Sequence, residues 1–178
     1  MTKAAARKRA AVFLKRREAL KITVLCVGKV KESYFTDAIR EYMKCLSRYA
    51  KTEIVEVEDE KTPDSASDAE NEAIKAKEGG KLLSRLPEDA YVIALAIEGK
   101  APDSVELSRK IETLGIRGKS HLCFVIGGSL GLSKVVTERA DELLSFSRMT
   151  FPHQLMRVIL LEQLYRSFRI MKGEPYHK

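Results

Sequence analysis

The chain has no run approaching 18 consecutive apolar residues among its 178 positions, so no membrane-spanning helix is expected. Cysteine is scarce and odd in number: Cys26, Cys45 and Cys123 stand far apart, with no CxxC pair and no metal-ligand spacing with histidine. A disulfide framework and a metal centre are therefore both set aside. Cys26 and Cys123 fall in apolar strand patterns and read as buried, reduced thiols, which suits a reducing cytosol and a cytoplasmic location. There is no internal repeat and no low-complexity tract. There is also no GxGxxG fingerprint and no phosphate loop ending in Gly-Lys-Ser/Thr. What is present is ordinary for a globular protein: 44% hydrophobic and 32% charged residues, in a length that suits one domain with a real core.

The formal charge of +7 is unevenly placed. Residues 1–20 carry Lys3, Arg7, Lys8, Arg9, Lys15, Arg16 and Arg17 against Glu18 alone, a net +6 that leaves +1 for the other 158 residues. Residues 30–90 sum to −5 and residues 146–178 to +4. Attraction to phosphate acts over about a Debye length, roughly 10 Å. The local C-terminal excess is thus better evidence for a nucleic-acid partner than the bulk charge. Residues 1–20 read as a flexible basic arm or an upstream start, with an RNA-gripping arm as the main alternative. The arm lacks both the apolar core of a secretory signal and the serine of a transit peptide. Residues 21–178 read as a single domain.

Within that domain, strands and helices alternate. Ile22–Val27, Glu53–Val57, Tyr91–Ile97 and Leu122–Ile126 read as strands, and 143–146 as a short one. Helices are expected from Ser33, over 67–86 with Ser67 and Glu70 forming a capping box, after Asp103 or Ser104, from Ser133, and from Pro152 or His153 to about Lys172. Strands that are apolar throughout predict a mostly parallel sheet with helices on both faces, an α/β fold.

Phe124-Val-Ile-Gly-Gly-Ser-Leu-Gly-Leu132 is the most informative stretch. Three glycines where a buried strand ends call for unusual backbone angles or a close approach. The carboxyl end of such a strand is where ligands bind in an open α/β sheet. Taken alone, these glycines serve a tight turn equally well. In the same way His153, at a helix start, is ordinarily a cap or a surface group. Arg157, Arg166 and Arg169 are ordinarily solvated, although Arg157 has apolar neighbours in Leu155, Met156, Val158 and Ile159. Glu162 and Arg166 are spaced to pair. Tyr176 and His177 would by default belong to a loose terminus.

In combination the motifs are specific. Gly127-Gly-Ser-Leu-Gly131, Phe151-Pro-His-Gln-Leu-Met-Arg157, Glu162-Gln-Leu-Tyr-Arg166 and Pro175-Tyr-His-Lys178, in this order, resemble the ribosomal RNA large-subunit pseudouridine methyltransferase H family. This family lies within the trefoil-knotted SPOUT methyltransferases. Val27-Gly-Lys-Val-Lys31, Tyr91–Lys100 and Leu144–Phe151 agree, so the resemblance spans Lys21 to Lys178; the basic arm departs from it. The resemblance implies a C-terminal deep trefoil knot and a homodimer. It also implies S-adenosyl-L-methionine held by Leu95, Gly127 and the segment Phe146, Ser147, Arg148, Met149, Thr150 and Phe151. The implied reaction is methylation of N3 of a pseudouridine in large-subunit (23S) rRNA on the assembled ribosome. His153 and His177 are candidate bases for the N3 proton, and the residues leave the choice between them open. Arg157 and Arg166 are candidates to hold phosphate or an imidate charge, and Tyr176 to stack on or hydrogen-bond the base. No metal and no membrane enter this reading. A related knotted enzyme acting on tRNA and a non-enzymatic RNA-binding module are the alternatives.

Overall fold

The structure, a computed structural model, describes residues 20–176. The basic arm, apart from Leu20, and the candidate base His177 lie outside the described residues. Leu20 itself is buried, and its carbonyl accepts the Lys51 N–H at 2.9 Å.

Five strands form one sheet: β1 (Lys21–Val27), β2 (Lys51–Val57), β3 (Tyr91–Lys100), β4 (His121–Ile126) and β5 (Glu142–Leu144). Their spatial order is β2-β1-β4-β3-β5 and every pairing is parallel. The helices between them are α1 (Ser33–Leu46), α2 (Asp68–Leu83), α3 (Ser104–Ile116), α4 (Lys134–Arg139) and α5 (His153–Lys172).

Strand side chains alternate between two cores, as a period of two requires. Ile22, Val24 and Cys26 of β1, with Leu122, Phe124 and Ile126 of β4, join Leu160, Leu161, Leu164 and Phe168 of α5 on one face. Leu25, Val27, Cys123 and Val125 pack against Leu82 of α2 and Val136 of α4 on the other. Continuous apolar strands are the sign of a sheet covered twice, and the sheet is covered twice. Cys26 and Cys123 are free and buried, as expected, and burial pushes their thiols up to about 12, so both stay protonated.

The Ser67–Glu70 capping box is present, and Asp103 with Glu106 makes a second. The first helix starts at Ser33, as expected. Glu32 takes the cap position without a side-chain bond.

The strand expected over 143–146 is β5, Glu142–Leu144, and a larger difference lies in β3. This strand is expected to end at Ile97, ahead of Gly99, but β3 runs on to Lys100. Leu95 and Lys100 both lie opposite Leu144, so the residues between them bulge out of the ladder. Gly99 is needed there, since a Cβ would lie 2.7 Å from the Leu143 and Leu144 backbone.

Candidate functional site

The carboxyl ends of β3 and β4 open into a cleft of about 800 Å³. Its floor is the glycine turn. The Gly131 N–H donates to the Gly128 carbonyl at 3.1 Å, and the two residues form an isolated antiparallel bridge. Gly131 adopts φ +83°, which a residue with a Cβ rarely takes. Gly127 is glycine for a different reason: a Cβ there would lie 2.6 Å from the Gly131 carbonyl carbon. The turn closes on its own backbone, and this tight closure presents backbone groups to the cleft.

The second wall is residues 145–151. Ser145 donates its N–H to the Lys100 carbonyl, its hydroxyl donates to the Ser147 carbonyl, and the Ser147 hydroxyl accepts the Met149 N–H at 2.9 Å. These local bonds hold the segment in a non-helical shape until Pro152 and His153 open α5. Of the residues named from sequence, Leu95, Gly127, Phe146, Ser147, Met149, Thr150, Phe151 and His153 line the cleft. Arg148 does not line it. Ile97 and Glu98, brought in by the β3 bulge, and Lys75 from α2 also line it, and the sequence reading misses them. The bulge gives no periodic signal. Lys75 sits on a helix that reads as uniformly charged.

His153 is half-buried at the first turn of α5. Desolvation, and next the Arg157 cation, hold its imidazole below the usual histidine range, against an opposing pull from Asp59. The ring is therefore neutral at neutral pH and able to accept a proton. A Cβ on Gly28 (φ +78°) would lie 3.6 Å from both its Nε2 and Asp59, so the β1 turn packs directly beside the imidazole.

Arg157 is fully buried. Nη1 donates to Glu56 at 2.5 Å, and Nη2 to the Val27 and Gly28 carbonyls at 2.9 and 2.7 Å. The role read from sequence, holding phosphate or an imidate charge, does not fit a guanidinium enclosed in this way. Arg157 instead ties the ends of β1 and β2 together and fixes the turn beside His153.

Arg166 and Tyr176 lie elsewhere. Arg166 donates twice to Glu162 Oε1, at 3.0 and 2.6 Å, and stands 4.8 Å over the Tyr176 ring. The Tyr176 hydroxyl donates to the same carboxylate oxygen at 3.2 Å. At 1.5 Å per residue, Arg166 is about 20 Å along α5 from His153. One chain thus carries the two halves of the expected constellation at separate places.

Behind the glycine turn, Glu78 is only 4% exposed. Its Oε1 accepts the Glu60 N–H at 3.0 Å, and its Oε2 has no partner among the described residues. A Cβ on Gly128 would lie 2.8 Å from that oxygen, which explains the second glycine. Desolvation pushes this carboxyl above the usual range, against the Glu60 bond, and the charges of Asp59 and Glu60 add to it. Below about pH 4.5 the group is protonated in folded and unfolded chains alike. As pH rises the unfolded chain ionises first, so the native state loses stability until the raised folded value is passed. Glu78→Gln is expected to melt progressively higher than the native chain as pH rises above about 4.5, read by thermal denaturation at a series of pH values. A difference in melting temperature that does not change with pH overturns this account.

Among the described residues no cluster of metal-ligating side chains occurs, and no helix is long and apolar enough to cross a membrane. Residues 20–177 match the family model described as "Predicted SPOUT methyltransferase". The chain is 61% identical over 159 residues to "Ribosomal RNA large subunit methyltransferase H" of Bifidobacterium adolescentis, a match that covers 89% of this chain and 100% of that one. It is 60% identical to the protein of the same name from Clostridium novyi, with the same coverage. The solved A. aeolicus TrmH/SpoU tRNA modifying enzyme aligns at TM-score 0.45 and 16% identity, over 99% of this chain and 89% of that one.

Proposed function

The chain belongs to the SPOUT methyltransferase family, with its α/β fold and C-terminal deep trefoil knot, and on that premise we propose that it methylates N3 of a pseudouridine in large-subunit (23S) rRNA on the assembled ribosome. The observation that carries the proposal is the cleft itself. A backbone-lined glycine turn faces a wall of Leu95, Phe146 and Met156, and a neutral histidine stands at the rim. The cleft suits S-adenosyl-L-methionine. Backbone amides and carbonyls of the turn would hold the polar edges of the cofactor, Leu95, Phe146 and Met156 would take its apolar parts, and Lys75 and Glu98 would offer one charge of each sign to its amino-acid end.

When bound, that cofactor supplies a methyl carbon activated on a sulfonium. The chain supplies alignment and proton removal. His153 would accept the proton that N3 gives up as the base is methylated. Arg157 keeps the β1 turn against the imidazole. Arg166 and Tyr176 serve the site of the second subunit in a homodimer, Tyr176 against the flipped base and Arg166 near its charge.

The test is cofactor binding by calorimetry together with methyl transfer to three acceptors. Saturable binding is expected, with strong transfer to ribosomes, weak transfer to naked rRNA fragments and none to isolated tRNA. Residues 21–178 carry only +1, so recognition rests on shape and ribosomal surroundings as much as on phosphate attraction. Equal turnover on a short naked hairpin, or preference for tRNA, overturns the substrate assignment. Absence of cofactor binding overturns the enzyme reading and favours a plain RNA-binding module.

A further inference from the structure

A second groove, of about 620 Å³, lies between α3 and the edge of the sheet formed by β3 and β5. Nothing in the reaction uses it. Arg109 and Thr113 of α3, and Arg117 that caps its C terminus, line it at intervals of four residues, a row of about 12 Å. Lys100 closes the groove from the end of β3. All four are exposed, and among the described residues Lys100, Arg109 and Arg117 have no acidic partner.

The acids on the groove wall do not cancel these cations. Glu142 is paired with Lys110. Glu106 is drawn to the helix N terminus, where it accepts the Asp103 N–H at 2.9 Å. In a stretch that sums to +1, three cations without an acidic partner along one groove are a local concentration of charge. Their position connects them to the chemistry. Lys100 lies opposite Leu144 in the β3–β5 ladder, and Leu144 lines the cofactor cleft. The groove and the cleft are therefore linked through the β3–β5 pairing.

We propose that the α3 groove binds the sugar–phosphate backbone of the substrate RNA next to the nucleotide held in the cleft. The inference rests on the reading of the substrate as rRNA and adds where the strand runs. A row of cations on a helix face fits a run of phosphates, and Thr113 adds a hydroxyl donor to phosphate oxygen. Such contacts position the strand without reading its sequence.

The test uses Arg109→Gln/Arg117→Gln, with Arg109→Lys/Arg117→Lys as the charge-keeping control. KM for ribosomes is expected to rise about five- to tenfold in the glutamine variant, with kcat and cofactor affinity unchanged. The slope of log(kcat/KM) against log salt should become shallower by roughly 1.4, about 0.7 per lost phosphate contact. The lysine variant should restore both. Poly(U), used as a competitor, should inhibit the glutamine variant less than the native chain. If the double variant fails to fold, Arg117→Gln alone should shift the slope by roughly half as much. Unchanged KM and slope overturn the proposal. A raised KM with unchanged poly(U) inhibition assigns the groove to a ribosomal protein and equally overturns it. Should the native chain methylate no ribosome, the functional reading fails by itself, and poly(U) binding measured directly on the two variants still decides the groove.

Discussion

A Gly127→Val chain is expected to lose affinity for S-adenosyl-L-methionine by about 100-fold or more while remaining folded. The reason lies inside the turn. A Cβ at this position meets the Gly131 carbonyl carbon at 2.6 Å, its oxygen at 2.7 Å and the Leu132 nitrogen at 3.0 Å. All three are backbone atoms, so no side chain can rotate out of the way. The turn must open, which breaks the Gly128–Gly131 bridge and withdraws the backbone groups that face the cleft. Strand β4 ends at Ile126 and the two cores lie below the turn, so thermal unfolding should still be cooperative and only modestly lowered. Gly131 offers a contrast. A Cβ there would meet no atom within 4 Å, yet φ is +83°, so alanine brings backbone strain without collision and should weaken binding less. Calorimetry on both variants with thermal denaturation as the control checks the prediction. Native affinity in Gly127→Val removes the glycine turn from the cofactor site.

The glycines illustrate what is legible in the sequence and what is not. Three of them at the end of an apolar strand locate the turn, because few residue types tolerate such a place. They do not reveal that Gly127 faces the turn's own backbone while Gly128 faces Glu78. The first contact depends on how the turn closes, and the second on a residue some fifty positions upstream. The helices and strands are legible for local reasons. The apolar runs of β1 and β4 and the Ser67–Glu70 capping box depend only on neighbours. The β3 bulge is not legible, since Ile97 and Glu98 leave the ladder only because β5 pairs on both sides of them. Arg157 shows the reverse case. Its apolar neighbours along the chain signal burial, and it is buried. Its partners Glu56, Val27 and Gly28, which set its role, lie about 100 to 130 positions away. Family resemblance supplies the candidate residues, and the fold sorts them by place.

That sorting separates His153 from Tyr176 along α5, and the second large effect follows from it. Deleting Pro175–Lys178 is expected to cut methyl transfer by about 100-fold or more, with the fold and cofactor binding nearly intact. Up to Tyr176 the tail is pinned in place. Glu174 accepts from Tyr49 at 2.5 Å and pairs with Arg169 at 2.9 Å. Tyr176 packs edge-on against Tyr165, with ring centroids 5.0 Å apart. These bonds hold a terminus that would otherwise be loose, yet they hold it far from the cleft of its own chain. In the proposed homodimer, a tail fixed there would act on the second subunit's cleft. His153→Ala should lose about 10²–10⁴ in single-turnover rate near neutral pH and least at high pH, where N3 ionises unaided. In the native chain the lowered imidazole value places the acid limb of the profile below about 6.5, with a plateau above it. Each variant alone is inactive for a different reason, so mixing them is decisive. In a mixed dimer the truncated chain supplies an intact His153 and the His153→Ala chain supplies an intact tail, which completes one of the two sites. Co-refolded in equal amounts, the pair should recover about a quarter of native activity, since half the dimers are mixed and each has one complete site. Recovery at that level ties the tail to the neighbouring subunit's cleft. No recovery above the separate variants means that tail and histidine serve the same chain. Full activity of the truncation alone removes the tail from the reaction and leaves His153 as the base.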